Sequence, residues 1–381
     1  MGRRWFLLIG ILIITGCSTI APSPPSLPPL PAFTPALSIK THWQIQLNEH
    51  TKASYVTLNP VYVDGNLFIT TPDGTVAAIA AATGKILWRN SLKQTITTGA
   101  GVGSGLVVVS TTQAQLFALN EKTGLVIWKA NLSNIALAIP VVTQDQVLVK
   151  TQDDHLYAFD AQSGKISWSY QQSVPDLVLR AGGSPQVDGN WVVAGFANGK
   201  FVVLDRRNGQ VLWQDQLGSA FGISDIENME DVDGTPLIKE GIVYVSAYQG
   251  QLIAMNLATK QILWQQPLSS DASLIADDQQ IYAADTDGNL WAFDRDTGTV
   301  KWKQSALAGR QLTAPVLFGQ QLVIGDAQGN LYWLGVDDAR LLAHFVLDRA
   351  GISATPVVVN QAVCVFTNSN KLILLQTIPY S

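Results

Sequence analysis

The sequence has little of what most catalytic centres require. Charged residues make up 14% of its 381 positions, and the chain contains 4 histidines and 2 cysteines. The histidines do not stand at metal-ligand spacing from one another: His42, His50, His155 and His344. The serine-hydrolase motif G-x-S-x-G is also absent from the sequence. We therefore expect no metal, no cofactor and no catalytic activity.

Three motifs that suggest ligand chemistry have simpler explanations. Gly99 to Gly105 is rich in glycine, but it leads into the apolar run 106–109, whereas a phosphate-binding loop leads into a helix. Asp285-Thr286-Asp287-Gly288 and Asp231-Val232-Asp233-Gly234 begin like calcium loops, yet neither has a glutamate at the twelfth position. The first motif predicts a glycine-rich strand, and the second predicts a turn between two strands.

Basic surfaces and paired cysteines are also lacking. The net charge is −5, and a cleaved leader that removes Arg3 and Arg4 would lower it from −5 to −7. Nucleic-acid-binding proteins usually present a basic face, so we expect no nucleic-acid partner. If Cys17 is acylated, Cys364 has no partner for an intrachain disulfide, and we expect it to be a small buried residue.

What the sequence does contain is a repeat. A tryptophan returns at intervals of about 40 to 50 residues after a turn and a short apolar run, at Trp88, Trp128, Trp168, Trp213, Trp264 and Trp302. A period of this length in an all-strand pattern is typical of a β-propeller, with one four-stranded sheet per repeat. Prolines, which have no N–H to donate, mark the starts of first strands at Pro60, Pro140, Pro185, Pro236, Pro315 and Pro356. Separate all-β domains would not explain why the aromatic residues are in phase.

Both ends of the chain contribute to the last repeat. The seventh repeat ends at Phe345, which takes the place of the tryptophan, and the eighth begins at Pro356 with only three strands. Trp43–Leu47 resembles the outer strands of the other repeats and would supply the missing one. We therefore predict an all-β fold, an eight-bladed β-propeller of four-stranded antiparallel blades whose ring is closed by the N-terminal strand.

The first 16 residues have the pattern of a lipoprotein signal peptide. A basic pair precedes the apolar run Trp5 to Ile14, which is too short to span a bilayer. The run ends in Ile14-Thr15-Gly16-Cys17, the pattern of a bacterial lipobox, in which the cysteine is acylated. Ser18 stands where an aspartate would favour the inner membrane. We expect Cys17 to anchor the protein in the outer membrane, facing the periplasm.

A proline-rich segment follows the anchor. Between Ala21 and Pro35 the chain is mostly proline and serine, a composition that favours extended polyproline II. We therefore divide the sequence into a signal peptide at 1–16, a lipidated cysteine and tether at 17–38, and the propeller at 39–381. The tether is expected to hold the propeller a few nanometres from the membrane, at about 3.1 Å per residue.

Two neighbouring connections between blades are long. One follows Trp168 and contains Leu177, Leu179 and Arg180; the other follows Trp213 and contains Asp231 and Asp233. Apolar residues beside charges of both signs on long loops are typical of a protein-binding surface. Loops that merely fold over the mouth of the central channel would explain the lengths equally well.

The lipobox, the proline-rich tether and the eight repeats of the Thr-Gly-Lys-x-x-Trp kind resemble the BamB family, lipoproteins of the outer-membrane β-barrel assembly machinery. The resemblance covers essentially the whole chain. It is sharpest in Leu177-Val178-Leu179-Arg180 and in Asp231-Val232-Asp233-Gly234-Thr235-Pro236. Blade 7 departs from the pattern with a degraded turn at Asp337-Asp338, and the tether is unusually rich in proline.

The resemblance implies a non-catalytic scaffold that binds BamA, the barrel subunit, and assists the insertion of outer-membrane proteins. The contact to BamA is carried over to Leu177, Leu179 and Arg180 in one loop and to Asp231 and Asp233 in the other. The resemblance also implies membership of the larger assembly complex and contact with unfolded barrel strands.

Two other functions fit parts of the sequence. Pyrroloquinoline-quinone dehydrogenases are eight-bladed propellers with the same tryptophan repeat, but they are longer and need a calcium site, a carboxylate base and commonly a pair of adjacent cysteines. Here Cys364 stands alone. A lipid-anchored propeller that serves another envelope complex is the second alternative, and a binding assay with BamA distinguishes it.

We expect Cys17→Ser to block acylation, because the thiol is the only group in the lipobox that can take the lipid. The unprocessed or mislocalised protein would be detected by mobility on a gel and by fractionation of the membranes. Normal outer-membrane fractionation of the variant would refute the lipoprotein interpretation.

Overall fold

The computed structural model describes residues 27, 29–48, 58–175, 182–217, 232 and 234–379. This part of the chain forms eight four-stranded sheets in which every paired strand is antiparallel. None of its segments is a helix long and apolar enough to cross a membrane. The predicted all-β, eight-bladed architecture is confirmed.

The strands follow the repeat, four to a blade, and each blade is given from its inner to its outer strand. Blade 1 contains β2 (Val61–Val63), β3 (Asn66–Thr70), β4 (Thr75–Ala80) and β5 (Lys85–Ser91). Blade 2 contains β6 (Gly101–Gly103), β7 (Leu106–Ser110), β8 (Gln115–Asn120) and β9 (Val126–Asn131). Blade 3 contains β10 (Val141–Val142), β11 (Gln146–Lys150), β12 (His155–Asp160) and β13 (Ile166–Gln171). Blade 4 contains β14 (Gln186–Asp188), β15 (Trp191–Gly195), β16 (Lys200–Asp205) and β17 (Val211–Gln216).

The second half of the ring has the same plan. Blade 5 contains β18 (Leu237–Lys239), β19 (Ile242–Ser246), β20 (Gln251–Asn256) and β21 (Gln261–Pro267). Blade 6 contains β22 (Ile275–Ala276), β23 (Gln280–Ala284), β24 (Leu290–Asp294) and β25 (Val300–Gln304). Blade 7 contains β26 (Val316–Phe318), β27 (Gln321–Gly325), β28 (Asn330–Gly335) and β29 (Leu341–Val346). Blade 8 contains β30 (Val357–Val359), β31 (Ala362–Phe366), β32 (Lys371–Pro379) and, as its outer strand, β1 (Leu37–Gln46).

The position of a strand in its blade decides its burial. The short first strands surround the axis, since β2 contacts β6 on one side and β30 on the other. The six prolines of the repeat each stand immediately before one of these strands, as predicted. The second and third strands are apolar on both faces because each sheet is covered by a blade on either side. The outer strands contain exposed and half-buried residues, and in blades 2, 3 and 5 the tryptophan on this strand is buried.

An indole ring and a glycine join five of the eight pairs of neighbouring blades. Trp88 on the outer strand of blade 1 lies against Gly124 in the hairpin turn of blade 2, where a Cβ atom would stand 2.3 Å from the ring. Its Nε1 donates a hydrogen bond of 2.7 Å to the carbonyl of Glu121 in the same turn. The same contact recurs between Trp43 and Gly84, Trp128 and Gly164, Trp168 and Gly209, and Trp264 and Gly298. Glycine is needed twice over, because its φ is also positive, 69° at Gly124.

The N-terminal strand closes the ring as predicted. β1 pairs along its whole length with β32, from Leu37 opposite Pro379 to Gln46 opposite Lys371. Trp43 then contacts blade 1 as the other tryptophans contact their neighbours, with its Nε1 2.9 Å from the carbonyl of Ala81. Blade 8 is therefore built from both ends of the chain.

Blade 7 corrects one expectation, because Phe345 does not take the place of the tryptophan. In blade 1 the tryptophan pairs with a small residue on the third strand, Ala78 opposite Trp88. In blade 7 the large and small residues are exchanged, with Trp333 on the third strand opposite Ala343 on the outer one. The exchange preserves the volume of the pair, and Trp333 is fully buried. Phe345 lies two residues further along and pairs with Leu331.

Two smaller expectations are also confirmed. Gly101–Gly103 is the first strand of blade 2 and not a ligand loop, and a Cβ atom on Gly101 would stand 2.0 Å from the carbonyl oxygen of Pro140 in blade 3. The close approach of the first strand of blade 3 accounts for the glycine run in blade 2.

Cys364 is fully buried, and burial raises the pKa of its thiol.

The described part of the proline-rich tether lies against the propeller. Leu30 packs on the apolar cluster shared by blades 6 and 7, and the N–H of Ala36 donates to the carbonyl of Leu342 in β29 at 2.8 Å. The tether therefore does not extend freely from the anchor to residue 38.

We expect Gly124→Ala to destabilise the protein more than Gly105→Ala. Both glycines have positive φ, 69° and 79°, but no atom lies within 4 Å of a Cβ added at Gly105. Gly105→Ala is the control, and it should lower the free energy of unfolding by about 1 to 2 kcal/mol through backbone strain alone. Gly124→Ala should cost about 1 to 3 kcal/mol more, because the methyl group meets the indole. Equal midpoints in denaturant for the two variants would contradict the indole contact.

Truncation tests the closure of the ring. In the soluble protein, we expect deletion of residues 18–26 to leave the melting temperature unchanged. Extending the deletion from Ala36 through Gln46 should lower stability by at least about 3 kcal/mol, because the apolar residues of β1 are lost and the edge of β32 is left unpaired. The decisive comparison is between a deletion that ends at Ala36 and one that ends at Gln46. If these two variants have the same melting temperature, the last blade is completed in some other way.

Candidate functional site

The connections between blades share one face of the ring with the turns between second and third strands. Two main-chain hydrogen bonds illustrate this, from Leu92 N to Gly74 O at 2.9 Å and from Leu132 N to Ala114 O at 2.8 Å. In each pair the first residue begins a connection and the second ends a turn. We call this side of the propeller the connection face.

Two long connections leave this face side by side. One joins β13 of blade 3 to β14 of blade 4, and the other joins β17 of blade 4 to β18 of blade 5. The predicted contact residues within them lie outside the described residues, as does the predicted lipidation site: Leu177, Leu179, Arg180, Asp231, Asp233 and Cys17. What the structure describes is where each connection departs and returns.

A third long connection was not singled out from the sequence. It covers residues 47–60 and joins blade 8 to blade 1, away from the other two. Residues 49–57 lie outside the described part. Asn48, at its start, donates from Nδ2 to Asp73 Oδ2 at 2.6 Å, in the turn between β3 and β4.

Both long connections depart from turns of blades 3 and 4. The N–H of Gln172 donates to the carbonyl of Asp154 at 3.1 Å, and Asn198 donates to the side-chain oxygen of Gln172 at 3.2 Å. The N–H of Leu217 donates to the carbonyl of Gly199 at 2.9 Å. The two departures are therefore fixed by backbone bonds to the turns 151–154 and 196–199.

The returns of the two connections are joined to each other. The N–H of Ser184, at the end of the first, donates to the hydroxyl of Thr235, at the end of the second, at 3.1 Å. Val232 is fully buried, and its N–H donates to the carbonyl of Phe196 at 3.3 Å. It packs so closely on blade 4 that a Cβ atom on Gly195 would stand 2.3 Å from it. The residue between Asp231 and Asp233 in the sequence is thus held in the core.

Phe196 is the residue that both connections share. Its ring meets Tyr170, just before the first connection, edge to face at 5.6 Å, and its carbonyl holds Val232 of the second. Such an aromatic pair is worth about 0.5 to 1.5 kcal/mol beyond its buried area. We define the loop base as the set Tyr170, Gln172, Ser184, Phe196, Leu217, Val232 and Thr235.

Two buried ionisable residues, Lys150 and Asp154, lie beneath the loop base. Lys150 is 6% exposed; its Nζ donates to the carbonyl of Gly195 at 2.8 Å and stands 5.7 Å from the centre of the Phe196 ring. Asp154 accepts a hydrogen bond of 3.1 Å from the N–H of Ala197. Burial raises the pKa of the Asp154 carboxyl, and the charge of Lys150 opposes the rise. Through these two bonds, Lys150 and Asp154 tie blade 3 to blade 4 beneath the connections.

Sequence reasoning missed the loop base, although the repeat carried a signal for it. Phe196 occupies the first position of the turn between the second and third strands. The other blades have small or polar residues at that position: Thr71, Thr111, Thr151, Ala247, Asp285, Asp326 and Thr367. A large aromatic residue there marks blade 4 as the one that supports unusual connections.

The calcium-like motif that begins at Asp285 forms hydrogen bonds within blade 6. Asp285, which begins the calcium-like motif, lies in the turn between β23 and β24 as predicted. Its carboxylate accepts from the N–H of Asn289 at 2.7 Å and from the indole of Trp291 at 2.8 Å. In the part of the chain that the structure describes, no group of three or more His, Cys, Asp and Glu side chains is placed to hold a metal ion.

Comparison with known proteins separates the fold from the family. A quinohemoprotein alcohol dehydrogenase from Comamonas testosteroni matches 88% of this chain and 76% of its own with a TM-score of 0.71, but at 14% identity this likeness shows the fold alone. The crystal structure of BamB from Moraxella catarrhalis matches with a TM-score of 0.82 and 25% identity, over 89% of this chain and 100% of that one.

Other relatives have a higher sequence identity to this chain than these two solved structures have. The outer membrane protein assembly factor BamB of Pseudomonas aeruginosa is 42% identical over 96% of this chain and 97% of its own length. The protein of the same name from Escherichia coli K12 is 34% identical over 94% of this chain and 95% of its own. The family described as outer membrane protein assembly factor BamB matches residues 72–304. Eight blades on one tryptophan repeat, the unusual connections of blade 4 and these similarities agree, and the chain belongs to the BamB family.

Proposed function

We propose that this protein is a non-catalytic scaffold of the outer-membrane protein assembly machinery, which binds BamA through its two long connections. The observation that carries the proposal is the loop base. Two connections of neighbouring blades depart from one pair of turns, return to a shared hydrogen bond between Ser184 and Thr235, and converge on Phe196. A base held by hydrogen bonds between blades, beneath two long loops, is an arrangement in which a scaffold can position binding residues.

The composition of the connections fits a protein partner. Leu177 and Leu179 are large apolar residues, Arg180 is the only cation of the first connection, and Asp231 and Asp233 flank the buried Val232. An apolar centre with an arginine beside it is the composition of strong binding sites at protein interfaces. We expect Arg180 to reach a carboxylate or backbone carbonyls of BamA, while the leucines fill an apolar depression.

The names of the relatives support the cellular role. Proteins 34% and 42% identical over almost their whole length are outer membrane protein assembly factors, a role that requires no reaction at the propeller. We extend the role to this chain, with Cys17 as the lipid anchor in the outer membrane, the propeller in the periplasm, and the other subunits of the assembly complex and unfolded barrel proteins as further partners.

Substitution of the contact residues tests the proposal. We expect Arg180→Ala, and separately Leu177→Ala with Leu179→Ala, to weaken binding to the periplasmic domains of BamA by at least about 2 kcal/mol, or roughly thirty-fold in Kd. Asp231→Ala with Asp233→Ala should weaken binding as well. Titration calorimetry measures the affinity, and melting temperatures should stay at the value of the unsubstituted protein.

Two variants on the same face serve as matched controls. Arg349 is an exposed arginine in the connection between blades 7 and 8, and Asp287 is an exposed carboxylate in a turn of blade 6. Arg349→Ala and Asp287→Ala should bind BamA normally, which would separate a local contact from a general effect of charge. Normal binding by all the connection variants would mean that these loops only cover the channel mouth or serve another complex.

A further inference from the structure

The described part of the proline-rich tether has a burial pattern with a period of three. Leu27, Leu30 and Phe33 are half-buried, whereas Pro29, Pro31, Ala32, Thr34 and Pro35 are exposed. A polyproline II helix has 3 residues per turn and no internal hydrogen bonds, so every third side chain points the same way. The pattern is that of a polyproline II segment with one face laid against the protein.

The surface under this face is a groove between blades 6 and 7. Leu30 packs on the cluster that contains Leu307, Leu334 and half-buried Leu341. Phe33 lines a cavity of about 420 Å³ together with Leu307, Gln304 and Arg340. Proline-rich segments bind apolar grooves well, because the extended form is already populated in the free chain and little entropy is lost.

The direction of the segment fixes where the chain leaves the propeller. At its C-terminal end, Ala36 is hydrogen bonded to Leu342 at the start of the outer strand of blade 7. At the other end, Leu27 reaches Gly309, whose added Cβ would stand 3.6 Å from it. Gly309 belongs to the connection between blades 6 and 7, and its N–H donates to the carbonyl of Asp287 in a turn of blade 6 at 3.0 Å. The segment therefore runs from the outer wall to the connection face.

We propose that residues 27–36 form a strap that brings the tether out beside Gly309 and thereby turns the connection face toward the lipid surface. The orientation rests on the proposed acylation of Cys17. Cys17 and Leu27 are separated by 9 residues, a length of chain that spans about 30 Å at 3.1 Å per residue. Without the strap the free length would be about twice as great, and the chain would leave from the outer strand of blade 8 instead.

The orientation is tested with the acylated protein in phospholipid vesicles that carry an energy-transfer acceptor on their headgroups. Donor dyes are attached to Gln328→Cys on the connection face or to Gln320→Cys on the opposite face. These exposed glutamines flank β27, whose five residues span about 17 Å. Cys364 is fully buried and so stays unlabelled.

We expect more efficient transfer from position 328 than from position 320, and loss of this difference when Leu30→Ser and Phe33→Ser are combined. Ala32→Ser with Thr34→Ser, on the exposed side of the same segment, should leave the difference intact. Equal transfer from the two positions in the otherwise unsubstituted protein, or a difference that survives the Leu30 and Phe33 changes, would overturn the proposal.

A second measurement needs no lipid. In the soluble protein, a dye on Ala32→Cys should report slow rotation by its fluorescence anisotropy, and Leu30→Ser with Phe33→Ser should release it while the melting temperature of the propeller changes little. Fast rotation before substitution would overturn the strap. Slow rotation here, combined with failure of the membrane-derived protein to attach to vesicles in the first experiment, would retain the strap but refute the acylation at Cys17, and with it the orientation.

Discussion

The ring depends on an indole that lies against a glycine of the next blade. At five junctions the glycine takes the left-handed corner of the hairpin turn, where a Cβ atom would meet the ring of the preceding blade. Four residues later the same repeat supplies its own tryptophan to the following blade, as Gly84 and Trp88 illustrate. Such a repeat accepts one contact and provides one, whereas blades 5 and 7 have Lys260 and Ala339 at the left-handed corner. This coupling explains why glycine and tryptophan recur together at a fixed spacing.

The sequence predicted the architecture because this contact leaves a visible period, and the exception in blade 7 follows from the same logic. Blade 8 has no turn between its third and outer strands, since β32 and β1 come from opposite ends of the chain. The outer strand of blade 7 thus has no turn glycine to cover, and its position opposite Trp333 is Ala343. Spacing alone indicates Phe345 as the residue that takes the place of the tryptophan in blade 7. Spacing locates the outer strand, but it fixes neither the register of that strand nor which strand of a pair carries the larger side chain.

The candidate site was predictable only as a break in the repeat. Long connections between blades 3, 4 and 5 are evident from length, but periodicity says nothing about how irregular chain is held. The loop base depends on Phe196 meeting Tyr170 and Val232, residues distant in sequence that the ring brings together. The composition of the tether likewise predicts an extended segment, but it does not reveal that the segment packs against blades 6 and 7. The three-residue spacing of Leu27, Leu30 and Phe33 was present, but the groove that gives it meaning is formed by blades encoded about 300 residues later.

The pairing of β1 with β32 has a consequence for biosynthesis. A ribosome makes β1 about 330 residues before its partner β32, so β1 has no strand to pair with during the synthesis of the chain between them. Contacts between the ends of a chain form slowly, because a large loop must close first. During this interval an unpaired, partly apolar strand is open to association with other chains. A propeller of this design should therefore benefit from protection by chaperones until β1 has paired with β32, and this pairing should be a late step in folding.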